Sequence, residues 1–205
     1  MLSKVISTNK RSGMFSFTFD DGVSKNFEQL LEILDEHNVK ATFFIVGSTL
    51  QLQSNALLLK SAHEKGHTIG NHTWSHADIT KLSNEDLVKE IVNTSNKIEE
   101  ITGEKPKYFR PPYGAINEAL GHKIIEMGYK ILLWDIDNQD WNRKRSKEEL
   151  LNLYKGSLAT ANSNKYSYIN LQHDLRKESV ELVPDIIKLA SDKKFKIVGI
   201  DEYLS

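Results

Sequence analysis

An α/β fold built on a closed or partly closed (β/α) barrel is what this sequence predicts, and three observations point there. Short apolar runs alternate with amphipathic stretches along all 205 residues, the rhythm of a parallel sheet joined by helical crossovers. Seven or eight strands, mostly parallel, fit into what reads as one domain, and that number favours a curled sheet over an open one. No internal repeat, low-complexity tract or linker divides the chain, so residues 1–205 are taken as a single domain, long enough to bury a full core without disulfides.

Taken in order, Gly13 to Phe19 alternates phenylalanines with β-favouring residues and reads as the first strand. Ser24 to His37 carries Phe27, Leu30, Leu31 and Leu34 at helical spacing, with Ser24 placed to cap it. Ala41 to Val46 is a nearly continuous apolar run closed by Gly47, as expected of a strand buried on both faces. Asn55 to Glu64 reads as a helix ended by Lys65-Gly66, and His67 to Gly70 as a brief strand. Ser83 caps the longest helix, with Asp86 in the place of a capping-box acid and Gly103 as its stop. Then follow a strand ending at Arg110, a helix Asn117–Met127, and a strand Tyr129–Ile136. A helix from Lys147 to about Leu158, the strand Tyr168–Leu171, a helix Ser179–Ala190 and a last strand Phe195–Ile200 complete the chain.

Composition narrows the function. The formal net charge is −1 with both signs interspersed, which gives no electrostatic case for a nucleic-acid or anionic-membrane partner. There is no cysteine, so thiolate chemistry and Cys-type zinc sites are excluded. The first residues lack a secretory h-region, and no apolar stretch approaches the ~20 residues of a membrane span. As written, the chain reads as a soluble monomer, cytoplasmic or vesicular, and as secreted if a signal was removed.

In α/β barrels the site lies at the C-terminal ends of the strands. Asp20-Asp21, Asn71-His72, Arg110, Asp137 to Trp141 and His173-Asp174 all fall just past a predicted strand. The acid pair Asp20-Asp21 is costly if buried unless a cation or donors replace its water; an Asp-Asp-Gly turn is the plainer alternative. His72 and His76, four residues apart, can face one point, and with a carboxylate they make the His-His-acid set of a catalytic zinc site. Two surface histidines at that spacing also arise without a metal. Arg110-Pro111-Pro112-Tyr113-Gly114 is an arginine before a stiff turn, able to pair with a carboxylate and to present a backbone N–H. Asp140 stands next to Trp141, and His173 ends another strand; an acid bonded to an imidazole raises its pKa and fixes its tautomer.

Together Thr18-Phe19-Asp20-Asp21-Gly22, His72-Thr73-Trp74-Ser75-His76, Arg110 to Gly114, Asp137 to Trp141 and Leu171 to Asp174 resemble the five ordered motifs of the polysaccharide deacetylases, the NodB-homology domain or family 4 carbohydrate esterases. The resemblance implies a deformed (β/α) barrel that is catalytic throughout. It makes Asp20 the general base and Arg110 its partner. Asp21, His72 and His76 become ligands of one divalent ion, most often zinc, with cobalt or another ion able to substitute. The Tyr113 backbone N–H would stabilise the oxyanion, and His173, set by Asp140, would be the general acid. Trp141 and Leu171 would wall the acetyl pocket, with Tyr113 and Asp137 also touching substrate. Asn138 departs from the Thr or Ser more usual in the family. His37, His63, His67 and His122 fall outside the motifs and read as structural or surface residues, and Asp174 is left without a role.

The stretch Gly70 to Leu82, together with Arg110 to Gly114 and Asp135 to Trp141, is similar to chitin deacetylases. The expected reaction is therefore N-deacetylation of β-1,4-linked N-acetylglucosamine in chitin or chitooligosaccharides. Peptidoglycan N-acetylglucosamine deacetylation is the close alternative and acetyl-xylan esterase activity a distant one. An inactive carbohydrate-binding member and an amidase on a non-sugar substrate complete the set. The short loops between motifs suggest an open groove.

Overall fold

The computed structural model describes residues 11–205 and, before them, the strand Val5–Ile6. Its elements are β1 (Val5–Ile6), β2 (Met14–Asp20), α1 (Phe27–Glu36), β3 (Thr42–Ile45), α2 (Gln53–Glu64), β4 (Thr68–Asn71), α3 (Asn84–Thr102), β5 (Tyr108–Phe109), α4 (Glu118–Glu126), β6 (Lys130–Leu132), β7 (Ile136–Asp137), α5 (Lys147–Ser157), β8 (Tyr168–His173), α6 (Lys177–Val180), α7 (Val183–Asp192), β9 (Lys196–Ile197) and α8 (Ile200–Tyr203). The strands form one sheet in the order β1-β6-β5-β4-β3-β2-β8-β7, with β9 also on β2, and every pairing is parallel.

Chain connectivity shows how far the sheet curls. β6 lies near one end of the strand order and β7 at the other, yet only residues 133–135 separate them. Four chain steps from Leu132 to Ile136 span at most about 14 Å. The two edges must therefore come together, and Asp135 helps hold them: its N–H donates to Ile169 O at 2.9 Å and its carboxylate accepts from Ile169 N–H at 2.7 Å. The result is a curled half-barrel, as the strand count predicts. The predicted single strand Tyr129–Ile136 is thus two strands with this crossing between them.

Period-two alternation along β2 sorts the layers. Phe15, Phe17 and Phe19 face outward into the core that α1, α2, α5 and α7 cover. Fully burying a side chain of that size stabilises by roughly 1.5–3 kcal/mol. Ser16, Thr18 and Asp20 face into the barrel, and all are buried. A second apolar cluster inside the barrel includes Phe44, Leu132 and Ile169, with Ile200 and Tyr203 of α8 among them. A third joins α3 and α4 to β5 and β6.

Several expected boundaries move for local reasons. Ser24 does not cap α1, whose N-cap is Asn26 without a side-chain cap bond; the Ser24 hydroxyl donates to Asp174 O instead, at 2.8 Å. The expected helix Ser179–Ala190 is α6 and α7 with a break at residues 181–182, because Pro184 is tolerated only in the first turn of a helix. The last expected strand is only β9, and Ile200 already begins α8. Ser83 accepts from Asp86 N–H and Gly103 takes the left-handed conformation at the stop of α3, both as expected.

Candidate active site

Register places the chemistry. Asp20 pairs with His173 across β2 and β8, Asp137 with Leu171 across β7 and β8, and Asn71 with Phe109 across β4 and β5, just before His72 and Arg110. Neighbouring strands that end together bring their last side chains to one mouth. There they line a cavity of about 410 Å³. Every sequence-predicted site residue lines it except Arg110 and Asp140, which stand behind Asp20 and His173.

Asp20 and Asp21 face different partners. Asp20 is 3% exposed and accepts from Arg110 Nη1 at 2.7 Å. Arg110 is fully buried, a state that is expensive unless each donor is used. Nη1 also donates to Thr18 Oγ1 at 2.7 Å, Nε to Leu132 O at 3.0 Å and Nη2 to Leu133 O at 3.1 Å. The guanidinium carbon lies 4.2 Å from the centroid of the Phe44 ring, in cation–π range. Burial pulls the Arg110 pKa down and Asp20 pulls it back up. One side chain thus ties the base of the cavity to the seam between β6 and β7.

Asp21 turns the other way. Its Oδ1 lies 3.4 Å from His72 Nε2 and 3.2 Å from His76 Nε2, and the three ligand atoms fall within 4.8 Å of one another. His72 Nδ1 is 2.7 Å from Arg110 O; a carbonyl only accepts, so Nδ1 carries the proton and Nε2 keeps its lone pair for the cavity. That outer bond is how a metal-binding histidine is commonly oriented. His76 Nδ1 meets the Tyr113 hydroxyl at 3.2 Å. Two imidazole nitrogens, one carboxylate oxygen and open space fit a divalent cation with exchangeable positions. The Asp21 Oδ1 atom is also buried without a hydrogen-bond partner, as suits a ligand. Burial alone would raise the Asp21 pKa, but the His72 and His76 imidazoles beside it and the charge of His173 hold it well below the usual carboxylate range.

His173 is set by Asp140. Its Nδ1–H donates to Asp140 Oδ1 at 2.6 Å and its backbone N–H to Oδ2 at 2.8 Å. Burial opposes the imidazolium, but Asp140, Asp20 and Asp21 together push its pKa up to about 9. In the metal-free protein an NMR titration should place His173 near that value, and Asp140→Asn should bring it down by a unit or more. Since this exceeds the ~6.5 of an unfolded histidine, the group contributes stability in full below pH ~6.5 and loses it as pH rises through about 9. A His173 titrating at or below its ordinary value would remove the assigned coupling.

The loops that carry these groups are strained. Seven described non-glycine residues have positive φ, and Asp21 (70°), Thr73 (67°), His76 (59°), Tyr113 (61°) and Gln139 (58°) all lie in the motif segments. Such conformations cost of order 1–3 kcal/mol each and persist where the surroundings dictate them. His72 and His76 therefore converge from an irregular loop, not a helical turn. Glu90 of α3 holds that loop, accepting from Trp74 N–H, Ser75 N–H and Ser75 Oγ, each at 2.8 Å. Arg176 holds the Asp140–Trp141 segment by donating to the carbonyls of Asp140, Asn142 and Arg145, and the Ser179 hydroxyl donates to Asp140.

Sequence reasoning missed Glu90, Arg176, Ser179 and the cavity-lining Trp134, which sit outside any motif spacing. It also left Asp174 without a role. That residue is buried, accepts from Ser24 N–H at 2.8 Å, and takes Ser24 and Asn26 side-chain bonds on its carbonyl. It anchors the chain just after Asp20-Asp21. Burial pushes its pKa up to about 6. Of the other histidines, His67 is buried, accepts from Ala41 N–H and is pulled down to about 4 by burial, whereas His37 and His122 are exposed.

Residues 7–132, more than half of the chain, match the family described as polysaccharide deacetylase. The chain belongs to the polysaccharide deacetylase family. The peptidoglycan-N-acetylglucosamine deacetylase PgdA of Listeria monocytogenes is 33% identical over 196 residues, covering 95% of this chain and 39% of that protein. The peptidoglycan-N-acetylmuramic acid deacetylase PdaC of Bacillus subtilis is 31% identical over 202 residues, covering 98% of this chain and 41% of that protein. This polysaccharide deacetylase domain thus spans about two fifths of the length of both relatives. The solved structure of the chitin deacetylase from Colletotrichum lindemuthianum matches with a TM-score of 0.93 at 28% identity, over 98% of this chain and 91% of that one. The similarity extends beyond residue 132 and so takes in the fourth and fifth motif segments. No described helix is long and apolar enough to cross a membrane.

Proposed function

We propose that this domain is a metal-dependent N-deacetylase of β-1,4-linked N-acetylglucosamine, acting on chitin or chitooligosaccharides. The observation that carries the reading is the division of the acid pair, with Asp20 on Arg110 and Asp21 on the two histidines. One carboxylate stays available as a base while the other helps to make a cation site.

Asp21, His72 and His76 would hold one divalent ion, zinc by donor type, which would supply Lewis-acid polarisation of the acetamide carbonyl and of a water. Asp20, oriented by the hydrogen bond from Arg110 Nη1, takes the proton of the attacking water. As the new C–O bond forms, the Tyr113 backbone N–H stabilises the carbonyl oxygen. His173 then gives its proton to the nitrogen as the C–N bond breaks, releasing acetate and leaving a glucosamine unit. Trp141 and Leu171 shape the space for the acetyl methyl group, with Asp137 beside them accepting from Gln139 N–H.

The overall match to a chitin deacetylase structure supports the chitin reading. Relatives named for peptidoglycan N-acetylglucosamine support a second substrate of the same chemistry. Acetate release from chitopentaose and from purified peptidoglycan glycan strands, compared as kcat/KM, separates the two; a higher value on glycan strands would reverse the choice. His76→Ala removes one ligand and is expected to weaken zinc binding by orders of magnitude, read by competition with a fluorescent chelator. Unchanged zinc affinity in that variant would show the ligand set to be wrong.

A further inference from the structure

Apart from the cavity at the mouth, a groove of about 260 Å³ runs beside α3, lined by Trp74, Asn93, Asn96, Lys97 and Glu100. The four helical residues follow the i, i+3, i+4, i+7 spacing of one outward stripe, while Leu87, Ile91, Thr94, Ser95 and Ile98 face the core. The seven steps of helix from Asn93 to Glu100 make the stripe about 10 Å long. Trp74 sits between His72 and His76, so the groove begins within about 7 Å of chain from either.

Its chemistry is specific. Trp74 is only half-buried, yet it is firmly held. Its backbone N–H donates to Glu90, its carbonyl accepts from Ser48 N–H at 2.9 Å, and a Cβ on Gly47 would meet its ring at 2.7 Å. A fixed indole offers a broad apolar face at little entropic cost. Asn93 and Asn96 are exposed, and each side chain supplies two donors and an acceptor. Lys97 and Glu100 pair with each other at 2.8 Å, so the groove has no charge left over for an ionic ligand. A partly exposed indole flanked by neutral donors and acceptors suits a sugar ring, apolar on its C–H face and polar around its edge.

We propose that this groove is a second sugar-binding site, which holds a short run of N-acetylglucosamine units of the polymer beside the mouth. The inference rests on the deacetylase reading, and it adds a binding site that leaves the chemistry untouched. It gives the domain a grip on a polymer that a disaccharide cannot use.

The test is an Asn93→Ala/Asn96→Ala double variant, both changes lying on an exposed helix face where alanine favours the helix. Binding to chitin particles is measured by depletion in the Asp20→Asn background, so that no substrate is consumed. Acetate release from N,N′-diacetylchitobiose and from chitin is measured with Asp20 intact. Polymer affinity is expected to fall about tenfold and the rate on sub-saturating chitin with it, while kcat/KM on the disaccharide stays unchanged. Polymer affinity equal to that of the parent, with acetate still released, would overturn the groove alone. A parent protein that releases no acetate from any of these substrates would overturn the deacetylase reading, and the depletion assay would still decide the groove.

Discussion

Asp20→Asn is expected to lower acetate release by about 10²- to 10⁴-fold, the usual worth of a positioned proton acceptor, with zinc still bound at one equivalent. The amide keeps an oxygen for Arg110 Nη1, so the geometry around the base survives. It cannot take a proton from water at neutral pH, so the chemistry does not. Because Asp21, His72 and His76 are untouched, metal content after dialysis should equal that of the parent. A variant with parental turnover would remove Asp20 from the mechanism. One that lost its metal together with its activity would mean that Asp20 acts as a ligand, consistent with its Oδ2 lying 3.8 Å from His72 Nε2.

The second large effect is structural. Arg110→Met is expected to destabilise the fold by about 3–5 kcal/mol, the range for breaking a buried ion pair from one side. Three separate losses act together. The Asp20 carboxylate, 3% exposed, loses its counter-charge. The carbonyls of Leu132 and Leu133 lose their donors where β6 gives way to the crossing. The Phe44 ring loses the cation stacked on it. Removing the acid as well, in Asp20→Leu/Arg110→Met, should recover much of the loss, since no unpaired charge then remains buried. Urea unfolding of the parent, single and double variants measures both quantities. A single-variant loss below about 1 kcal/mol, or no recovery in the double variant, would contradict the role assigned to Arg110.

Much of this was legible in the chain because local signals and global architecture agree. The alternation Phe15-Ser16-Phe17-Thr18-Phe19 gives both the strand and its two faces, and the cap Ser83 and stop Gly103 bound α3. The motif segments could be placed at strand ends because a parallel sheet puts all those ends on one side. What was not legible depends on tertiary contacts. The split of Tyr129–Ile136 exists because the sheet closes there, and nothing in that apolar run announces a crossing. Ser24 reads as a helix cap until Asp174, 150 residues away, competes for its hydroxyl. Glu90 and Arg176 look like ordinary surface charges in sequence, and only the folded loops give them partners. Pro184 was the readable exception, since its ring alone argues against one unbroken helix from Ser179.

The role proposed for Asp21, His72 and His76 is to hold a cation that the neighbouring residues need for amide hydrolysis. Its most direct test is a zinc titration of chelator-stripped protein, following acetate released from chitopentaose. Activity should be absent in the stripped protein and should rise to a plateau as one equivalent of zinc binds. Full acetate release without metal, or zinc bound at one equivalent with no acetate at all, would contradict it.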